Sequence, residues 1–173
     1  MTARPGAGAP PLDVREVPPA EREAVVPLLL LAEPSERALR WSLEHLSDVT
    51  YRAELDGALV GAATMRWRDE PCELVELAVE ASRQGQGIGR ALVTWLLDEA
   101  RRRGKQAMVV GTANSGIGNI AFYQRCGFRM DHVRPDYFWY DTTGRSEHGI
   151  ATRDLLVFRY ALVDEPPRRR RRG

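Results

Sequence analysis

The sequence is poor in the residues that build metal centres and disulfide frameworks. Its 173 residues include two cysteines, Cys72 and Cys126, and three histidines. Two cysteines make no multi-bridge scaffold, and neither they nor His45, His132 and His148 fall at metal-ligand spacing, so no metal is expected. Long hydrophobic runs are missing too. The most apolar, Leu28 to Ala32, is far shorter than the roughly 20 residues that span a bilayer. The opening MTARPGAGAPPLD lacks the apolar stretch of a secretory leader. These absences lead to the expectation of a cytoplasmic protein with reduced thiols and no membrane partner. Nor does charge of one sign dominate: 25 basic residues face 24 acidic ones, which argues against a nucleic-acid binder held by overall electrostatics.

That near-balance hides an asymmetry. Five basic residues form the run Arg168 to Arg172, and without them 20 basic residues face 24 acidic ones. The run follows Pro166-Pro167 and has no interleaved aromatics, so it reads as a disordered, solvated tail (164–173) with no specific nucleic-acid partner. A flexible Pro/Gly/Ala-rich segment (1–11) is expected at the other end, with a single domain over 12–163 between them. The mildly acidic body suits a cationic acceptor.

Within the domain, Leu12 to Val17 reads as a strand, and Ala20 to Leu31 as a helix by its apolar spacing. Ser35 is placed to cap a second helix that ends near Leu46. Val49 to Leu55 and Ala58 to Trp67 read as a hairpin about Asp56-Gly57, and Glu73 to Glu80 as a fourth strand. Gly87 to Arg103 is the clearest helix, with Ile88, Ala91, Leu92, Trp95, Leu96 and Ala100 on one face and Gly104 as its stop. A strand at Gln106 to Gly111, a helix at Ser115 to Cys126 and a last strand near 155–163 complete the pattern. Residues 134–153 read as irregular. Within them Tyr137 to Tyr140 form either a strand packed on the core or a substrate wall. The class is α/β (α+β), with a mixed sheet.

The stretch Arg83-Gln84-Gly85-Gln86-Gly87-Ile88-Gly89-Arg90 lies between a strand and the long helix. Glycines at a helix start expose unpaired N–H groups at the positive end of the helix dipole, where phosphate oxygens bind. Arg90 stands where a dinucleotide fingerprint needs its third glycine, and no Gly-Lys-Ser/Thr occurs, so neither a Rossmann nor a Walker A loop is read.

Gln84-x-x-Gly87-x-Gly89, preceded by Leu77-Ala78-Val79 and followed by Phe122-Tyr123-x-x-x-Gly127-Phe128, resembles the motif set of the GCN5-related N-acetyltransferase (GNAT) superfamily. The likeness covers roughly residues 50–130, and Gly111 to Ser115 with Gly149-Ile150-x-x-Arg153-Asp154 is similar to a bacterial branch of it. The resemblance implies a mixed sheet of six to seven strands, helices on both faces, and splayed fourth and fifth strands. It implies acetyl-CoA as co-substrate, its pyrophosphate on Gln84, Gly85, Gln86, Gly87, Ile88, Gly89 and Arg90. Its pantetheine arm would lie along Leu77, Ala78 and Val79, near Phe122. The asparagine that many members place seven residues before the tyrosine is here Gly116, which leaves Asn114 and Asn119 as alternatives for that contact.

The implied reaction is acetyl transfer to a primary amine by direct attack in a ternary complex. The first expectation is a small-molecule acceptor. A protein lysine or N-terminus, or a non-catalytic acyl-CoA sensor, are the alternatives. The amine must lose a proton, for which Glu73 and then Glu76 are the candidates, on opposite faces if the strand alternates without a bulge. Tyr123 is the candidate proton donor to the departing thiolate, and a backbone N–H near Val79 the oxyanion donor. Either a monomer or a homodimer is compatible with the sequence.

Overall fold

A computed structural model describes residues 11–163, apart from 142. The expected terminal segment up to residue 10 and the arginine tail lie outside the described residues.

Strand β1 (Asp13–Val17) leads into a 3-10 turn, Pro19–Ala24, and a single helical turn, α1 (Val26–Leu29). One continuous helix was expected here. Pro27 prevents it, because a proline with no N–H is accommodated only in a helix's first turn, where it stands in α1. Helix α2 (Glu36–His45) starts where Ser35 Oγ accepts the Ala38 N–H at 3.2 Å. Strands β2 (Val49–Leu55) and β3 (Ala58–Arg66) turn at Asp56 and Gly57, whose φ values of 52° and 77° fit the hairpin. After β4 (Cys72–Val79) come helix α3 (Ile88–Arg102), β5 (Ala107–Ala113) and helix α4 (Ile117–Arg125). The chain ends with β6 (Arg129–Arg134), the short pair β7 (Ser146–Glu147) and β8 (Ile150–Ala151), and β9 (Leu155–Ala161).

Seven strands form one sheet in the order β1-β2-β3-β4-β5-β9-β6. Only β4 and β5 run parallel. One face carries α1 and α2, whose Val26, Leu29, Leu39 and Leu43 pack on Ala62 and Ala78. The other carries α3, whose Leu92, Val93, Leu96 and Leu97 pack on Tyr51, Met65 and Leu74, together with Tyr123 of α4. The seven-stranded mixed sheet with helices on both faces matches the fold read from the sequence.

Two irregularities in β4 create the space for a site. First, β4 pairs with β5 only through Cys72, Glu73 and Leu74, opposite Met108, Val109 and Val110. Beyond Leu74 the two strands part. Second, Leu74 pairs with Met65 and Glu76 with Thr64, so Val75 is an extra residue in the strand. A bulge bends its strand and resets the alternation of side chains. Past the bulge the edge of β4 turned towards β5 has no strand beside it.

Candidate active site

The opening between β4 and β5 runs into a cleft of about 1480 Å³ that extends to both sides of the sheet. That exceeds the roughly 300–1,000 Å³ of a typical small-ligand pocket and leaves room for two molecules. One side is built by the β4–α3 loop and α4, the other by α2 and the turn 135–140.

On the first side, Gly85 and Gly87 adopt φ values of 77° and 82°, which L side chains rarely take. Gly87 stands at the start of α3, and among the described residues no side chain caps the helix there. The first-turn amides therefore remain available to an anion at the positive end of the dipole. Gly89 lets α3 approach closely, since a Cβ there would lie 3.3 Å from the Phe122 ring and 3.4 Å from Val79. The Gln84 side chain donates to the Val79 carbonyl at 3.1 Å and fixes the loop to the strand. Arg83, Arg90 and Arg125 line this end, with no carboxylate within ion-pair distance among the described residues. Three unpaired guanidiniums and a free helix start suit a ligand carrying several phosphates.

Along the open edge, the Glu80 N–H bonds the Val60 carbonyl at 2.9 Å. In an antiparallel ladder successive residues alternate in direction. Residues 78 and 80 therefore turn their backbone groups to β3, and Leu77 and Val79 turn theirs into the opening. An extended amide-bearing ligand can pair with that edge as an added strand does.

The two glutamates share a face. Sequence alternation separates Glu73 from Glu76 unless a bulge intervenes, and the bulge at Val75 does so: Glu73 lies opposite Arg66 and Glu76 opposite Thr64, two residues apart on β3. Glu73 forms an ion pair with Arg66. Glu76 is 7% exposed and accepts hydrogen bonds from the hydroxyls of Ser42 on α2 and Thr64 on β3. Burial, against the Ser42 hydrogen bond and with the charges of Glu33 and Glu73 adding to it, pushes its carboxyl up to about 7. The group thus exchanges its proton near neutrality.

Tyr123 reaches the cleft from the α4 side, held edge-on by Phe122 and Phe128 at ring separations of 5.1 and 5.9 Å. Its hydroxyl has no hydrogen bond among the described residues, and burial raises its pKa above the ordinary phenol value, so it stays protonated.

The other sequence-expected residues divide. Leu77, Ala78, Val79, Gln84, Gly85, Gly87, Ile88, Gly89, Arg90, Asn119 and Phe122 line the cleft; Gln86 turns its amide to the Ser82 carbonyl at 3.3 Å. Asn114 lies elsewhere. It donates to the Ala151 carbonyl and accepts from the N–H groups of Arg153 and Asp154, fastening the end of β5 to the segment entering β9. Of the two alternatives only Asn119 faces the cleft. Tyr137 to Tyr140 are not a core strand. They form a turn over the cleft, because Pro135 ends β6 and Asp136 adopts φ 52°.

Sequence reading missed Ser42, Thr64, Arg66 and Arg125. Ser42 and Thr64 had a usable mark, each being a polar residue inside an apolar pattern, which implies a buried partner. Arg66 and Arg125 had none. Among the described residues no group of His, Cys, Asp and Glu is arranged to hold a metal ion, and no helix is long and apolar enough to cross a membrane.

The Acetyltransferase (GNAT) family model matches residues 20–128. The chain is 36% identical over 133 residues to the uncharacterized N-acetyltransferase YvbK of Bacillus subtilis, a match covering 75% of this chain and 83% of the relative. A Bacillus subtilis acetyltransferase solved in complex with CoA superimposes with TM-score 0.79 at 30% identity, over 88% of this chain and all of that one. A GNAT family acetyltransferase from Elizabethkingia anophelis with acetyl-CoA bound gives TM-score 0.75 at 27% identity, over 87% and 97% of the two chains. A parted strand pair with an uncapped glycine loop at its mouth is what an acyl-coenzyme donor requires, and with these matches the conclusion is plain: the chain belongs to the acetyltransferase (GNAT) family and is an N-acetyltransferase, of a family that draws its acetyl group from acetyl-CoA.

Proposed function

We propose that the protein transfers the acetyl group of acetyl-CoA to a primary amine on a small molecule, by direct attack within a ternary complex, in the cytoplasm. The observation that carries the reading is the aromatic turn. Tyr137, Phe138, Trp139 and Tyr140 stand over the side of the cleft that holds Glu73 and Glu76, and this partial cover suits a small acceptor better than an extended protein chain.

In this reading the coenzyme's phosphates lie on the amides of Gly85 to Arg90 and on Arg83, Arg90 and Arg125. Its pantetheine amides pair with the Leu77 backbone and with the second lone pair of the Val79 carbonyl, which Gln84 already engages, near Phe122 and Asn119. An alkylammonium releases its proton near pH 10 in water. Glu76, poised at about 7, takes that proton directly or through a water, and the neutral nitrogen attacks the thioester carbonyl. We assign the base to Glu76 in preference to Glu73, whose carboxylate is engaged by Arg66. The Val79 N–H faces the oxyanion. As the carbon–sulfur bond breaks, the Tyr123 hydroxyl gives its proton to the thiolate.

The test is thiol release from acetyl-CoA across polyamines, aminoglycosides, amino acids and a lysine peptide. Turnover confined to small amines supports the proposal. Turnover of the peptide alone refutes the small-molecule acceptor, and acetyl-CoA binding with no acceptor used points to a sensor.

A further inference from the structure

Four carboxylates line the acceptor side of the cleft, and they are not equally neutralised. Glu73 is paired with Arg66, and Asp136 with Arg153 at 2.6 Å. Among the described residues the Glu76 carboxylate is bonded only to two hydroxyls. Glu33 accepts the Ser35 N–H at 2.9 Å and the Tyr140 hydroxyl at 3.5 Å, and has no cationic partner among the described residues. Arg37, the cation nearest in sequence on this wall, is exposed on α2 with no carboxylate paired to it among the described residues. Two unpaired carboxylates thus face one hollow, where one suffices as a base.

The second of them sits among rings. Trp139 and Tyr140 meet edge to face at 6.3 Å, and Phe138 lies 6.1 Å from Tyr140. Trp139 is 82% exposed, and Trp41 across the mouth, stacked on His45, is 54% exposed. Ring faces of this kind beside a carboxylate receive an ammonium group. Phe138 already carries the Arg145 guanidinium at 5.7 Å from its centroid, which leaves Trp139 and Tyr140 as the rings for a ligand; they are a separate observation from the acids and point to the same ligand charge.

Helix α2 spaces the two residues that anchor the carboxylates. Glu33 is fixed to Ser35 and Glu76 to Ser42, seven residues on, or about 10 Å along the helix axis. Two ammonium groups, each held at about 2.8 Å from its carboxylate, then stand several ångströms apart, as in short aliphatic diamines.

We infer that the acceptor is a diamine: one amine reacts beside Glu76 while the second, as an ammonium, is held by Glu33 and the rings of Trp139 and Tyr140. This rests on the amine reading above. The test compares putrescine and cadaverine with butylamine and pentylamine as acceptors, by thiol release from acetyl-CoA. Each diamine is expected to exceed the monoamine of equal carbon number by about 10- to 100-fold in kcat/KM, chiefly through KM, as one hydrogen-bonded charge provides. Glu33→Gln keeps an acceptor for the Ser35 N–H, so the loop is retained, and it should bring the diamine-to-monoamine ratio close to one. Equal use of the two amine classes by the wild type, or a ratio untouched in Glu33→Gln, overturns the diamine while the amine reading stands. Thiol release with neither class, although acetyl-CoA binds by calorimetry, overturns both.

Discussion

Replacing Glu76 with glutamine separates what this residue does for the reaction from what it does to the fold. Glutamine has the same shape, and the Ser42 and Thr64 hydroxyls can each donate or accept, so the buried hydrogen bonds persist. Only the charge goes. In the folded protein the carboxyl rises from 4.5 to about 7, mainly through burial. At about 1.4 kcal/mol for each pH unit, ionising it inside the fold costs about 3 kcal/mol. The sign follows from proton binding. Between these two values the folded chain keeps a proton that the unfolded chain has released, so wild-type stability falls as pH rises through the window, and the loss is complete above 7. Glu76→Gln escapes that loss. Urea unfolding should find the variant more stable than wild type by less than about 1 kcal/mol near pH ~5, and by about 3 kcal/mol near pH ~8.5. In a chain of this size the latter corresponds to a Tm about 6–12 °C higher. The same variant should lose about 100- to 10,000-fold in kcat, the range of a missing general base. Wild-type kcat/KM should rise with pH through about 7, because the base must first be ionised. A stability difference equal at the two pH values would refute the buried titration. Undiminished turnover would refute the role as base.

Two further substitutions probe the remaining machinery. Tyr123→Phe removes a hydroxyl that bonds nothing among the described residues, so stability should hold within about 0.5 kcal/mol. Acetyl-CoA affinity by calorimetry should be kept while kcat falls about 100-fold or more; an unchanged kcat would remove Tyr123 from the proton path. Gly87→Ala puts a Cβ on a residue at φ 82°, at a strain of about 1–2 kcal/mol. That strain should appear as a lower Tm and a weaker Kd for acetyl-CoA, and an unaltered Kd would argue against the loop as the phosphate cradle.

The elements that lie on one chain segment were open to sequence reading. Ser35 at the start of α2, the apolar face of α3, the Asp56-Gly57 turn and the glycine loop each act through neighbours a few residues away. They stand within a residue or two of their expected bounds. The helix expected over 20–31 failed on a local fact, Pro27, which limits α1 to a single turn. β6 escaped notice because Arg129 to Arg134 lies at the sheet edge with both faces mostly exposed, so no alternation marks it.

By itself the sequence determined the fold, the glycine loop at the head of α3 and the identity of the residues that could carry the chemistry. Tertiary structure alone decided which of them meet. The extra residue at Val75 turned Glu73 and Glu76 to one face, and it did so through pairing with β3, twelve residues away at Thr64. Ser42, from another element again, came to Glu76 because α2 packs on that face. Arg66 took Glu73, Asp154 and Ala151 took Asn114, and Glu33 was left facing the aromatic turn. Proton affinity is set by burial and by charges brought in through space. The order of residues along the chain carries propensity and periodicity, and the environment that makes a glutamate a base exists only after the sheet has closed around it.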